Sequence, residues 1–360
     1  TSGVSACSST PAITLDSRRE SLRQPPLRNI AVLDKLLEED RLWIEAISGT
    51  SAGAMNAVVL ADGMHRGGAE GARQALRDFW KAVSDSARMS PLRSAPMARM
   101  TGDWSLAKSP IYAMFDFVNR ILSPYERNPL NINPLRDVLA RSLDFDRLRT
   151  AREVDLFITA THVRTGRARV FRRHELSADV LMASACLPLL HQAVMIDGEP
   201  YWDGGYSGNP VLFPFFESSP ADDILIVQLN PIVREDSPST APEILNRITE
   251  ITFNSPLLHE LRAIDFVKRM LEAGHLSAEN YRRMHIHVIS SRKRLRKLDA
   301  STKLNVEWPF LNWLFEVGRE TAERWLAENF DVIGVHSTVN VREMFDGSGE
   351  LPIASPSGGA

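Results

Sequence analysis

Apolar residues at Ile30, Leu33, Leu36 and Leu37 share one helical face, and the charged run Glu38-Glu39-Asp40 closes that helix. Leu42 to Ile47 is a short apolar run before a glycine and predicts a strand. Gly49-Thr50-Ser51-Ala52-Gly53 follows it. Ala54 to Ala61 then predicts a helix with small residues near its start. Leu76, Phe79, Trp80 and Val83 predict a second helix over 70–83. Further on, Val154 to Ala160 and residues 168–172 read as strands, and Ser177 to Ser184 as a short helix ended by Cys186-Leu187-Pro188. Val194-Met195-Ile196, an Asp197-Gly198 turn and Tyr201-Trp202 predict a hairpin leading into Asp203-Gly204-Gly205. Ile224 to Leu229 is continuously apolar, as in a strand covered on both faces. Beyond about residue 235 the pattern is mostly helical, with one strand at His285 to Ile289.

Strands alternating with helices predict an α/β three-layer core. Two stretches depart from it. Residues 1–28 are rich in Ser, Pro and Arg without a clear period and read as a loose or extended lead-in. Residues 84–110 are rich in Met, Ser and Pro and basic, and with the aromatic-rich Ile111 to Leu122 they read as a lid or insertion over 84–122. The expected organisation is an atypical N-terminal segment (1–29), a catalytic domain (30–230) and a mostly helical extension (231–360).

Composition narrows the picture only slightly. The 360 residues are 44% hydrophobic and 24% charged, with a net charge of −3, so no global field draws the chain to nucleic acid or a membrane. Two distant cysteines, Cys7 and Cys186, make no disulfide framework and fit a reducing compartment. No apolar run is long enough to span a bilayer, and no signal-peptide pattern is seen. The expectation is a cytoplasmic protein with peripheral contact at the inner membrane.

The chemistry centres on the pattern strand, Gly-x-Ser-x-Gly, helix, the signature of a nucleophile elbow. Ser51 sits on a sharp, strained turn, and Gly49 and Gly53 leave room for it. The helix that follows aims its N-terminus at the serine, so that the N–H of Ala52 can stabilise an oxyanion. Only about fifty residues precede this serine, fewer than the several strands that usually precede it in α/β-hydrolases.

Gly49-Thr50-Ser51-Ala52-Gly53-Ala54 with Asn56, then Ala183-Ser184-Ala185-Cys186-Leu187-Pro188, then Asp203-Gly204-Gly205 and Asn209-Pro210, resembles the patatin-like phospholipases of bacterial type over about residues 30–216. The resemblance implies a patatin-like three-layer α/β/α sandwich with a mostly helical C-terminal extension. It implies a lipid acyl-hydrolase of phospholipase A or lysophospholipase type that needs no cofactor. It further implies a Ser–Asp dyad, with Ser51 as nucleophile and Asp203 as proton acceptor; burial would suit Asp203 to that role by raising its pKa. That family also carries a glycine-rich loop after its first strand, which supplies most of its oxyanion hole. Here Gly3 is the only glycine before Gly49, and Ser17 to Asn29 offers Arg18, Arg19, Arg23 and Arg28 but no glycine run. This departure bears on activity more than on fold.

Two other readings compete: a catalytically impaired lipid-binding relative, and a Ser-His-Asp carboxylesterase using one of the nine histidines. Among these, His191 is nearest to Asp203, and His285 and His287 share one strand face, but none lies in a catalytic motif. Cysteine and histidine spacing does not suit a metal. The run Arg292-Lys293-Arg294 with Arg296 and Lys297 reads as a solvated loop, with contact to anionic lipid as the sharper alternative. No nucleic-acid motif accompanies it. Trp308, Phe310, Trp313, Leu314 and Phe315 read as core, with interfacial lipid contact as the alternative.

Overall fold

The computed structural model describes residues 12–16, 28–87, 104, 121–228, 232–234, 237–290, 302 and 305–347, with only the backbone given for 12–16, 28–29 and 242. The strands are β1 (Ala12–Asp16), β2 (Trp43–Thr50), β3 (Asp155–His162), β4 (Ala168–Arg172), β5 (Val194–Ile196), β6 (Glu199–Asp203), β7 (Asp223–Gln228) and β8 (His285–Ser290). The helices are α1 (Arg28–Leu36), α2 (Ala52–Ser86), α3 (Pro124–Arg127), α4 (Pro134–Ser142) and α5 (Phe145–Thr150). After them come α6 (Ala178–Ser184), α7 (Phe213–Ser218), α8 (Ala241–Glu272), α9 (Trp308–Asn329) and α10 (Val341–Asp346).

All eight strands form one sheet in the order β5-β6-β3-β2-β1-β7-β8, with β4 paired to β3. The pairs β2–β3 and β7–β8 are parallel. Strand β1 is antiparallel to both β2 and β7, so β7 runs parallel to β2. Alternating side chains feed two cores. Ile47, Leu156, Ile158, Leu225, Val227 and Ile289 face α1, α2, α4, α6 and α9. Ala46, Phe157, Ile224, Ile226 and Ile286 face α7, α8 and α10. The three layers expected from the sequence are therefore present, and β7 is buried on both faces as its unbroken apolar run requires.

One element differs from the sequence reading. Five residues of the lead-in form β1, in mid-sheet; with only Ile13 and Leu15 to mark a period of two, the strand was too short to stand out. The helices expected over 54–61 and 70–83 are both present within α2, separated by a non-helical break at Gly67 and Gly68, where Gly68 has φ 60°. Of the proposed lid, residues 88–103 and 105–120 lie outside the described residues, as does the basic run 292–297. The aromatic cluster of α9 is packed: Phe310 and Phe315 are buried, and Trp104 and Phe310 both lie against Trp313. The core reading of these rings holds.

A buried charge cluster ties α9 to α1 and α2. Arg319 on α9 donates from Nη1 to Asp34 at 2.7 Å and lies 2.8 Å from Glu38 through Nη2. Arg73 on α2, fully buried, donates to Asp34 at 3.3 Å and to Glu70 at 2.8 Å. Burial pushes the Asp34 carboxyl up to about 8, against the pull of Arg73 and Arg319. Removing one partner of such a cluster leaves buried charge uncompensated, which costs roughly 3–5 kcal/mol for a fully buried pair. Arg319 keeps some exposure, so at pH 9, where Asp34 is ionised, Arg319→Met is expected to destabilise the fold by about 2–4 kcal/mol. Urea unfolding measures this, and a loss under about 1 kcal/mol would show the cluster to be incidental.

Candidate active site

The site is assembled along one edge of β3. Residues Phe157 to Thr159 pair with both β2 and β4, and Ala160 and Thr161 with both β6 and β4. A strand has two edges, so β2 and β6 must share the edge opposite β4. Strand β2 ends at Thr50 against Thr159, and β6 ends at Asp203 against Ala160. Their ends meet there, which brings Ser51 and Asp203 together across 152 positions of sequence.

Ser51 occupies the turn from β2 into α2 with φ 55° and ψ −122°, a conformation that side chains other than glycine rarely adopt. Such strain costs on the order of 1–3 kcal/mol and persists only where the surroundings impose it. Here the Ser51 N–H donates to Ser184 Oγ at 2.9 Å, and Ser184 Oγ donates to the Thr159 carbonyl at 2.7 Å. A Cβ at Gly49 would lie 2.6 Å from the Gly53 carbonyl oxygen, so the turn closes only with glycine at that position. Ala52, the first residue of α2, is half-buried beside Ser51.

Asp203 is held as firmly. Its N–H donates to the Cys186 carbonyl at 2.8 Å, and its carbonyl accepts from Thr161 Oγ1 at 2.8 Å. Oδ1 accepts from the Gly205 N–H at 2.8 Å. Gly204 and Gly205 are packed tightly: a Cβ would meet the Thr159 carbonyl oxygen at 2.2 Å and the Phe253 ring at 2.0 Å, respectively. Thr50 Oγ1 donates to the Gly208 carbonyl at 2.9 Å and ties the loop after Asp203 to the elbow.

Ser51 is 1% exposed and Asp203 0%. Ser51 Oγ and Asp203 Oδ2 are left without a hydrogen-bond partner of good geometry. The two groups are nevertheless close enough for the serine hydroxyl to act on the carboxyl. Burial pushes Asp203 up to about 7, while the Gly205 N–H and the Ser51 hydroxyl hold it down.

The histidines lie elsewhere. His287, fully buried, meets Asp223 at 2.8 Å, and His285 lies 3.4 Å from the same carboxylate. Asp223 opens β7, which runs parallel to β2, so this group sits at the end of the sheet away from Ser51. His191 lines a cavity of about 460 Å³ beside Asn133, and burial with the Arg127 charge pushes its pKa down to about 4. The Cys186 thiol is pushed up to about 12 by burial and by Asp203 and is no nucleophile. Of the stretch Ser17 to Asn29, which stands in the place of the family's glycine-rich loop, residues 17–27 lie outside the described residues. Strand β1 ends with Asp16 paired to Trp43, the length of β2 away from Ser51.

A profile of the patatin-like phospholipase family matches residues 29–216, more than half of the chain. The chain belongs to that family. No curated protein matches it at a significant level. Patatin-like phospholipases are lipid acyl hydrolases, and the three-layer fold with its helical C-terminal part fits them. The matched span includes Ser51, Ser184 and Asp203. Ser184 went unremarked in the sequence as an individual residue; its signal was the small-residue segment 183–188, whose hydroxyl proves to hold the elbow.

The folded pKa of Asp203 lies above its unfolded value near 4. The folded state thus binds the proton more tightly, and stability falls as pH rises from about 4 to 7, then levels off. Asp203→Asn keeps an acceptor for the Gly205 N–H and removes this penalty. The variant is expected to be more stable than the parent by a few kcal/mol at pH 8, with no such gain at pH 4. Urea titrations at the two pH values compare them; equal gains at both would place the raised pKa in doubt.

Proposed function

We propose that the chain is a serine acyl-hydrolase of lipid esters, of phospholipase A or lysophospholipase type, working through a Ser51–Asp203 dyad and an acyl-enzyme. The carrying observation is the meeting of a strained, buried Ser51 with a buried Asp203 whose pKa is raised to about 7. A carboxylate near its usual pKa is a poor base for a serine hydroxyl; one poised near neutrality is much better matched. In this reading Asp203 Oδ2 takes the Ser51 proton as Oγ attacks the ester carbonyl. The Ala52 N–H, at the N-terminus of α2, stabilises the oxyanion. Collapse breaks the ester bond, and Asp203 returns the proton to the departing alcohol. Water, deprotonated by Asp203, then attacks the acyl-enzyme and frees the fatty acid and Ser51. Asp203 accepts from the Gly205 N–H, lies beside Ser51 and is bonded to no described histidine, which favours the dyad over a Ser-His-Asp carboxylesterase.

Labelling by a fluorophosphonate tests the chemistry directly. Ser51 is expected to be the labelled residue, and Ser51→Ala to abolish labelling. Asp203→Asn is expected to slow it by roughly 10²–10⁴-fold. The parent rate should rise with pH through about 7, as the carboxyl ionises, and then flatten. Unchanged labelling in Ser51→Ala, or a pH profile set by a histidine, would sink the dyad.

A second observation favours low turnover. No glycine run precedes α1, and β1 ends away from Ser51. With Ala52 as the one assigned oxyanion donor, each missing donor costs about 10²–10³ in rate. Ester hydrolysis by this chain is accordingly expected to be weak. Inserting a Gly-Gly-Gly-x-Arg-Gly loop behind an apolar strand ahead of Ile30 is expected to raise it at least tenfold. Brisk phospholipid turnover by the unmodified chain would show that other groups complete the hole and would remove the reading of an impaired lipid-binding relative.

A further inference from the structure

Two segments beside the site carry large apolar side chains into solvent. The first runs from Ile121 through α3 to Ile132; the second is the loop 187–195. Ile121, Tyr125, Leu130, Ile132, Leu189 and Met195 are all exposed, Leu130 by 80% and Leu189 by 71%. Neither segment is loosely held. The Asn128 side chain brackets the tip by donating to the Ile132 carbonyl at 2.9 Å and accepting from its N–H at 3.0 Å. The Asn131 N–H closes the same turn onto the Asn128 carbonyl at 2.9 Å. The two segments are then stapled together. Arg127 donates to the carbonyls of Leu189 and Leu190, Gln192 to that of Asn128, and the Ala193 N–H to the Tyr125 hydroxyl. Leu130 and Leu189 are thus presented to water on fixed backbone, so burying them loses little further chain entropy.

The position of this surface says what it meets. Loop 187–195 starts next to Cys186, whose carbonyl holds the Asp203 N–H, and ends in β5, which pairs with the strand bearing Asp203. The cavity of about 460 Å³ has Tyr125 and Met195 in its wall, and also Ala185 and Cys186. Among the described residues, Arg127 faces the loop carbonyls, and Arg136 is ion-paired with Asp179. Within 121–132 the exposed Glu126 carboxylate is taken up by the Ser123 N–H at 2.8 Å; the other large outward side chains of the two segments are apolar.

We propose that the 121–132 and 187–195 tips form the surface by which the protein seats on a lipid layer, through apolar insertion into uncharged lipid rather than attraction to anionic headgroups. The proposal rests on the lipid-ester reading for its occupant, and it moves the lipid contact away from the basic run and the α9 aromatics.

Sedimentation with sucrose-loaded phosphatidylcholine vesicles tests it without calling on catalysis. The parent is expected to bind, with under a twofold change between 50 mM and 500 mM salt. Leu130→Asp combined with Leu189→Asp is expected to lower partitioning at least tenfold while the thermal midpoint stays within a few degrees. Leu189→Trp is expected to raise partitioning, which keeps the test decisive should the charged variant misfold. Ile248→Asp, at another exposed apolar position on α8, and Ser51→Ala are both expected to bind like the parent. The second separates this result from that of fluorophosphonate labelling. Absent binding, undiminished binding by the double variant, or an equal loss in Ile248→Asp overturns the proposal. So does binding that needs anionic lipid and vanishes in salt, which would return the contact to Arg292–Lys297.

Discussion

Strand β3 shares one edge between two partners, β2 as far as Thr159 and β6 from Ala160, and the site depends on that division. Had β2 run one residue further, the elbow would collide with the end of β6. Had it stopped sooner, Ser51 and Asp203 would be separated along the edge by about 3.3 Å for each residue lost. The glycines follow from the same crowding. Gly49 passes Gly53 where the helix turns back over the strand, and Gly204 passes the Thr159 carbonyl where two strand ends compete for one backbone. Ser184 acts at the same junction: its hydroxyl accepts from Ser51 and donates to Thr159, so one oxygen fixes the elbow to β3.

This junction works against stability. A non-glycine residue with φ 55°, a fully buried carboxyl and a buried hydroxyl lacking a good partner are each unfavourable. The sheet offsets them by burying both faces of β7 and both sides of β2 and β3. The charge cluster of Asp34, Glu38, Arg73 and Arg319 serves a different end. Such clusters contribute little net stability over an apolar core, but they penalise any misplacement of α9 on α1.

What could be read from the sequence was local. The elbow pattern, the Asp-Gly-Gly segment, the hairpin before it and the unbroken apolar strand at 224–229 are all contiguous signals, and each matches an element of the fold. What could not be read depends on partners distant in sequence. Strand β1 is five residues long and is stabilised by neighbours on both sides rather than by its own pattern. Ser184 looks like any small residue until Thr159 and Ser51 flank it. His285 and His287, whose spacing shows a shared strand face, turn out to serve Asp223 at the opposite end of the sheet. Exposure at Leu130 and Leu189 is likewise a tertiary property, since similar leucines in α1 are buried.

The direction of β1 bears most on the chemistry. An oxyanion needs donors aimed at the position its oxygen will occupy, and in the proposed chemistry one N–H at the start of α2 would supply only part of that field. A glycine loop leaving a first strand parallel to β2 would begin at the Ser51 end, with its N–H groups already beside the substrate. In this chain β1 is antiparallel to β2, and its C-terminal Asp16 pairs with Trp43, so the chain after it begins at the other end. The sequence from Ser17 to Asn29 carries arginines where glycines would let the backbone approach. The positions of Ser51 and Asp203 are therefore set by β2, β3 and β6, independently of β1. Under the proposed chemistry, stabilisation of the developing charge would depend on donors beyond these three strands.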